Sequence, residues 1–210
     1  MALDAETVRR ALRSHSPQEV PALPGRRNHL RAGVLVPLRL AGEPTTVLTG
    51  RPAHLTNHGG EVCFPGGRPE EGDPHLEATA LREAREELGI RHARVLGRLS
   101  SIPLYTSDFR LVPYVADVRD EVFVPEPGEV ERVYELSIPR LLDLPHIHGA
   151  PWTHDGEVTL SPIFELDDGL IYGGTAYALL ELLVVLAPLM GRTVPELRAG
   201  KHTWDRILGN

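Results

Sequence analysis

Three glutamates, Glu83, Glu86 and Glu87, stand close together near the middle of the chain. On a helix with about 100° per residue, Glu87 lies about 40° from Glu83, and Glu86 lies about 60° to the other side. Like charges on one face destabilise a helix unless a cation compensates them. Mg²⁺ and Mn²⁺ prefer oxygen ligands and leave coordination positions for phosphate and water. The spacing therefore predicts a divalent-metal site, with a solvated acidic face as the alternative.

A glycine-rich segment directly precedes these acids. Gly66 and Gly67 lie in the run FPGGR, and a backbone without Cβ atoms can approach a pyrophosphate closely. The run leads into the predicted helix, whose N-terminus favours anions. Gly66 and Gly67 are therefore candidate phosphate-binding residues, with an ordinary turn as the alternative.

The segment from Gly66 to Ile90 resembles the signature of the Nudix hydrolases. That signature has a Gly, an acid six residues on, Arg-Glu, an aliphatic position, Glu-Glu after one further residue, then Gly and an aliphatic residue. The matching residues are Gly67, Asp73, Arg82, Glu83, Ala84, Glu86, Glu87, Gly89 and Ile90. Asp73 replaces the usual Glu, and the gap from it to Arg82 is one residue longer than in the general pattern.

Both differences are typical of one branch of that family, the coenzyme A diphosphatases. The branch also has an upstream pattern, which is matched here by Leu48, Thr49, Arg51, Gly60, Phe64, Pro65, Gly66 and Gly67. Pro52 replaces the usual small residue, and Thr56 stands where an Arg is expected. The resemblance extends over roughly residues 32–190.

The resemblance implies a metal-dependent pyrophosphatase that cleaves coenzyme A or acyl-CoA to 3′,5′-ADP and (acyl-)4′-phosphopantetheine. Water attacks one phosphorus, the metal stabilises the developing charge, and one carboxylate takes the proton. Glu83 and Glu87 are implied as ligands of Mg²⁺ or Mn²⁺, with Glu86 as a third ligand or a contact through water. Arg82 is expected to orient a carboxylate by a bidentate contact, with a surface ion pair as the alternative.

Other residues have more than one interpretation. Arg51 either holds a phosphate of the substrate or pairs with the acids of the signature. Glu129 is either one more acid of the site or an ordinary surface residue. Because of Thr56, ADP-ribose or a nucleoside triphosphate stays an alternative substrate. A non-catalytic nucleotide-binding module is a further alternative, against which the complete set of carboxylates argues.

Composition restricts the class of protein. The 210 residues include 29 acids and 22 Lys or Arg, for a formal net charge of −7, which argues against a nucleic-acid partner. A hydrophobic content of 41% with 20 Gly and 19 Pro is typical of a globular chain. The single cysteine, Cys63, permits no internal disulfide and fits a reducing compartment. With no apolar run of about 18 residues and no signal peptide, we expect a cytoplasmic protein without membrane partners; the family resemblance allows a homodimer.

The elements predicted around the site form an α/β domain. Helices are expected at residues 4–13, 74–88, 139–144, 175–190 and 194–197, and strands at 32–39, 45–49, 61–64, 94–102, 111–118, 130–136 and 157–165. The first two strands, which flank the turn residues at 42–44, are predicted to form a hairpin. Asp73 is the predicted N-cap, Pro74 the first helical residue and Gly89 the C-terminal cap. The resemblance implies an α/β/α sandwich with a mixed β-sheet between helices. We expect residues 1–31 to form a helix and connector, 32–190 the hydrolase domain, and 191–210 an extension packed on it.

Overall fold

The computed structural model describes residues 3–55, 59–154 and 157–208. The helices are α1 (Ala5–Ser14), α2 (Leu76–Leu88), α3 (Ile138–Leu142), α4 (Gly173–Leu186) and α5 (Trp204–Leu208), and a 3₁₀ turn spans Pro188–Met190. The first strands are β1 (Leu30–Arg39), β2 (Thr45–Gly50), β3 (Val62–Cys63), β4 (Gly66–Gly67), β5 (Arg94–Arg98) and β6 (Ile102–Pro103). The others are β7 (Phe109–Asp117), β8 (Arg132–Ser137), β9 (Ile147–His154), β10 (Glu157–Leu166), β11 (Gly169–Ile171) and β12 (Leu197–Ala199).

The larger sheet is mixed and has the strand order β3-β2-β1-β7-β5. Strands β1 and β7 run parallel from the Leu30–Phe109 pair to the Leu38–Asp117 pair, whereas β1 and β2 form the predicted antiparallel hairpin. The short β4 pairs with β1, and β8 pairs along the whole of β2. Gly66 and Gly67 are therefore held at the edge of a sheet by a backbone ladder.

Helices cover both faces of this sheet. Successive side chains of a strand point to opposite faces, so Val34, Val36 and Leu38 of β1 join a buried cluster with α1 and α4. Leu35 between them packs into a second cluster with Ala84 and neighbouring residues of α2. The predicted α/β architecture, with a mixed sheet between helices, is confirmed.

A second, four-stranded sheet was not expected from the sequence. Its strand order is β11-β10-β9-β12, and only β10 was predicted. The helix expected at residues 194–197 is wrong, because Leu197–Ala199 pairs in parallel with β9 and the residues before it are not helical. Pro195 lacks an N–H for a helix interior, and the backbone of β9 offers the following residues partners instead. The C-terminal helix α5 also lacked a sequence signal.

The start of α2 differs from the prediction by two residues. His75 is the N-cap, and its Nδ1 accepts a hydrogen bond from the Ala78 N–H at 3.1 Å. Asp73 instead accepts a bond from the Glu70 N–H at 3.0 Å and faces Arg82. Gly89 ends the helix as predicted, with a left-handed φ of 70°. The predicted cap at Asp73 is wrong because its carboxylate bonds to Arg82 and the preceding loop.

Close contact between α2 and β1 depends on Gly33. A Cβ atom at this position would lie 2.3 Å from the Leu76 carbonyl oxygen and 3.1 Å from the Ala80 nitrogen. We expect Gly33→Ala to lower the free energy of unfolding by about 1–3 kcal/mol, since helix and strand must separate. Urea denaturation measures this change. Gly128→Ala is the control, since its Cβ would lie 3.8 Å from its nearest neighbour, Glu126 Oε1. Equal loss in the two variants would contradict the packing argument.

None of the helices in the described part of the chain is both long and apolar enough to cross a membrane.

Candidate functional site

Helix α2 places its three glutamates in three different environments. Glu87 is buried, with 1% of its surface exposed. The side chain of Glu83 is 15% exposed and that of Glu86 is 55% exposed. Glu87 neighbours the side of the helix that packs on β1, and the strands therefore cover it. A solvated acidic face is excluded for Glu87.

The buried carboxylate of Glu87 has two hydrogen-bond donors. The Gly66 N–H lies 3.4 Å from Oε1, and the Thr49 hydroxyl lies 3.4 Å from Oε2. Burial raises the pKa of Glu87 from 4.5 to about 7, although the Gly66 N–H and the charge of Arg51 oppose the rise. Glu83 and Glu129 add to it by repulsion. The two long bonds thus leave part of the cost of burying this charge uncompensated.

Gly67 makes room for Glu83. A Cβ atom on Gly67 would lie 2.2 Å from Glu83 Oε1 and 2.5 Å from its Cδ, so no other residue fits there without displacing the carboxylate. Burial also raises the pKa of Glu83, and the negative charges of Glu86 and Glu129 raise it further. The charge and hydrogen bond of Arg82 lower this pKa and so oppose the rise. Gly66 and Gly67 therefore contact Glu87 and Glu83 respectively.

Arg82 connects several acids of the site. Its Nε donates to Asp73 Oδ1 at 3.3 Å and its Nη2 to Oδ2 at 3.2 Å, so the bidentate contact is with Asp73. Nη2 also donates to Glu83 Oε1 at 3.0 Å, and Nη1 donates to Glu86 Oε2 at 2.7 Å. The bond from the Glu70 N–H and the contact with Arg82 lower the pKa of Asp73. Arg82 thus holds Glu83 and Glu86 in defined positions.

Arg51 follows β2 and lies on the Glu87 side of the site. Its Nε is buried and has no hydrogen-bond partner among the described residues. Its charge lowers the pKa of Glu87 and of Cys63. Glu129 is exposed in the turn before β8, and its charge acts on both Glu83 and Glu87. Sequence position alone did not show which side of the site either residue would occupy.

Several further residues precede the family signature in sequence, among them Thr49, His54 and Cys63. His54 is exposed, and Thr56 and His58 lie outside the described residues. Burial raises the pKa of the Cys63 thiol to about 12, so the thiol stays protonated and is no nucleophile. Thr49 matched the upstream pattern, but its contact with Glu87 had no sequence signal beyond a polar residue in an apolar strand.

The site contains oxygen donors that suit a hard divalent cation. The partly uncompensated carboxylate of Glu87 and the carboxylate of Glu83 both lie against the Gly66–Gly67 strand. Glu86 is more exposed and, like Glu83, contacts Arg82. Within residues 3–55, 59–154 and 157–208, no three His, Cys, Asp or Glu side chains are grouped as a metal-binding cluster. The chemistry of the donors fits the cation, and the set of three ligands stays a prediction.

The mixed sheet between helices, with acids of α2 against a Gly-Gly strand, defines an α/β domain of the Nudix type. The chain belongs to the Nudix hydrolase family, whose NUDIX domain model matches residues 27–154. It is 36% identical over 153 residues to the uncharacterized Nudix hydrolase NudL of Photorhabdus laumondii, covering 71% of this chain and 81% of that protein. It is 38% identical over 130 residues to NudL of Yersinia pestis, covering 60% of this chain and 64% of that protein.

A solved structure supports the same fold. The MutT/nudix family protein from Enterococcus faecalis aligns with a TM-score of 0.51 and 16% identity, over 90% of this chain and 76% of that one. Nudix hydrolases generally use divalent metal ions. The family membership thus agrees with the donor chemistry of Glu83 and Glu87.

Proposed function

We propose that this Nudix hydrolase cleaves the pyrophosphate of coenzyme A or acyl-CoA, with Mg²⁺ or Mn²⁺ as its metal. The products are 3′,5′-ADP and (acyl-)4′-phosphopantetheine. Hydroxide from water adds to one phosphorus as the bridging P–O bond breaks, and the proton of the water passes to a carboxylate of the protein.

One observation carries this proposal: the upstream sequence pattern and the family signature meet at Glu87. Thr49 and Gly66 of the upstream pattern donate hydrogen bonds to the Glu87 carboxylate, and Arg51 of the same pattern acts on it by its charge. Residues typical of the coenzyme A branch are therefore part of the surroundings of the acid that we propose as a metal ligand.

Different residues of the site have different proposed roles in the reaction. Glu83 and Glu87 would hold the metal, with Glu86 as a third ligand or a contact through water. When bound, the metal would neutralise charge on the pyrophosphate and activate water. Arg82 holds the carboxylates of Glu83 and Glu86, either of which is a candidate for the proton acceptor.

The backbone of the Gly66–Gly67 strand and the guanidinium of Arg51 are the proposed contacts for the substrate phosphates. The unpartnered Nε of Arg51 supports this assignment, because a buried donor favours a ligand that supplies an acceptor. Because the chain carries a net negative charge, its overall electrostatic field does not attract a phosphorylated substrate. Attraction must therefore come from local contacts such as these.

A substrate panel tests the proposal. The protein is incubated with Mg²⁺ or Mn²⁺ and with coenzyme A, ADP-ribose or nucleoside triphosphates, and the products are identified by mass spectrometry. We expect 3′,5′-ADP and 4′-phosphopantetheine from coenzyme A. Intact coenzyme A alongside cleaved ADP-ribose would exclude the proposed substrate while preserving the chemistry, and no turnover of any substrate would favour a binding module.

A further inference from the structure

Thr49 is a fully buried residue whose hydroxyl lies between two acceptors. It stands opposite Cys63 in the β2–β3 ladder. Its Oγ1 is 3.4 Å from Glu87 Oε2 and 3.2 Å from the Cys63 carbonyl oxygen, and it also lies 3.6 Å from Cys63 Sγ, a weak hydrogen-bonding atom. A hydroxyl carries a single proton, so Thr49 donates to one of these acceptors at a time. An ionised carboxylate is the stronger acceptor, which favours donation to Glu87 when that side chain is charged.

The two oxygens of Glu87 are held from different strands. Gly66 of β4 donates to Oε1, and Thr49 of β2 donates to Oε2. The terminal torsion of a glutamate is broad, so its carboxylate plane is not defined by rotamer preference. With one donor on each oxygen, the plane is defined and the remaining lone pairs have a fixed direction. A backbone N–H restrains Oε1, whereas the side chain of Thr49 restrains Oε2.

We propose that Thr49 is a positioning residue that orients the Glu87 carboxylate for metal binding. The inference rests on the proposed function in one respect, namely that Glu87 is a metal ligand. Groups that hydrogen-bond to a ligating side chain typically change metal affinity about 10–100-fold when they are removed. The effect of Thr49 is therefore on the affinity for the cation, with no contact between its hydroxyl and the substrate.

A purely structural role for Thr49 makes a different prediction. If the hydroxyl served only to tie β2 to β3 through the Cys63 carbonyl, its loss would destabilise the fold and leave metal affinity unchanged. Thr46 is a matched control on the same strand. It is also fully buried, and its hydroxyl donates to the Pro37 carbonyl oxygen at 2.9 Å, remote from any acid of the site.

The experiment measures binding of Mn²⁺ alone, without substrate, by electron paramagnetic resonance. Urea denaturation in the presence of a chelator gives the stability of each variant. We expect Thr49→Val to raise the Kd for Mn²⁺ about 10–100-fold and Thr49→Ser to restore most of the affinity. Thr46→Val should lose stability and keep the wild-type Kd. Thr49→Ala removes the hydroxyl without placing a second methyl beside Glu87, and gives the same test should Thr49→Val fail to fold.

Wild-type Mn²⁺ affinity in Thr49→Val or Thr49→Ala overturns the inference, as does an equal loss of affinity in Thr46→Val. The proposed function is tested separately by the substrate panel. A protein that binds Mn²⁺ and depends on Thr49 but leaves coenzyme A intact would overturn the substrate assignment alone. A wild-type protein that binds no more Mn²⁺ than Glu87→Gln would overturn the metal site and the role of Thr49 together.

Discussion

Glu83→Gln is expected to reduce metal-dependent hydrolysis by about 10²–10⁴-fold, the range typical of losing a positioned acid–base group. Gln keeps the shape of the side chain beside Gly67 but removes the negative charge that Arg82 contacts and that we propose binds the metal. The fold should survive, because Glu83 lies at the edge of the helix–sheet interface. Steady-state kinetics over a range of Mg²⁺ concentrations, together with circular dichroism, measures both effects.

The matched control for this prediction is Glu77→Gln. Glu77 is also partly buried on α2, in its first turn, and is no part of the site. We expect it to turn over substrate at the wild-type rate. Wild-type turnover in Glu83→Gln would remove Glu83 from the metal site, whereas equal losses in both variants would indicate a general effect of altering the helix.

Glu87→Gln is expected to stabilise the metal-free protein at alkaline pH. The pKa of Glu87 is about 7 in the folded chain and 4.5 as its ordinary value. Between these values the folded protein keeps a proton that the unfolded protein releases, so the wild-type free energy of unfolding falls as the pH rises through this window. At 1.36 kcal/mol per pKa unit, the fall is about 3 kcal/mol. Gln does not titrate, and the variant lacks this decrease.

Urea denaturation in a chelator at pH 4 and pH 8 measures the difference between Glu87→Gln and wild type. The free energy of unfolding of Glu87→Gln, relative to that of the wild type, should rise by about 3 kcal/mol between the two pH values. Glu71→Gln, at an exposed acid, gives the background effect of removing one charge. A pH-independent difference would contradict the buried, charged state of Glu87.

Added Mn²⁺ should stabilise the wild type at pH 8 and leave Glu87→Gln unchanged, since binding to the folded state raises stability.

Parts of the fold could be predicted because their signals are local. Short apolar runs rich in β-branched residues at β1 and β2, with turn residues between them, predicted a hairpin, and the predicted cap at Gly89 matches the structure. The start of α2 was misplaced because Asp73 is a good cap by type, yet its carboxylate bonds to Arg82, nine residues away. Strands β9 and β12 were missed because each is defined by its partner strand, and neither has a clear period-two pattern.

The sequence alone determined the chemistry available to this protein. The order and spacing of Gly67, Arg82, Glu83 and Glu87 resemble the Nudix signature, and the NUDIX domain model matches the chain. The helical period of 3.6 residues separately predicted that the acids share one side of a helix. Only the tertiary structure decided how those acids differ. Packing of α2 on β1 buries Glu87 beneath Thr49 and Gly66, while Arg82 holds the more exposed Glu86. Burial and hydrogen-bond partners come from strands distant in sequence, and they determine which carboxylate has a raised pKa.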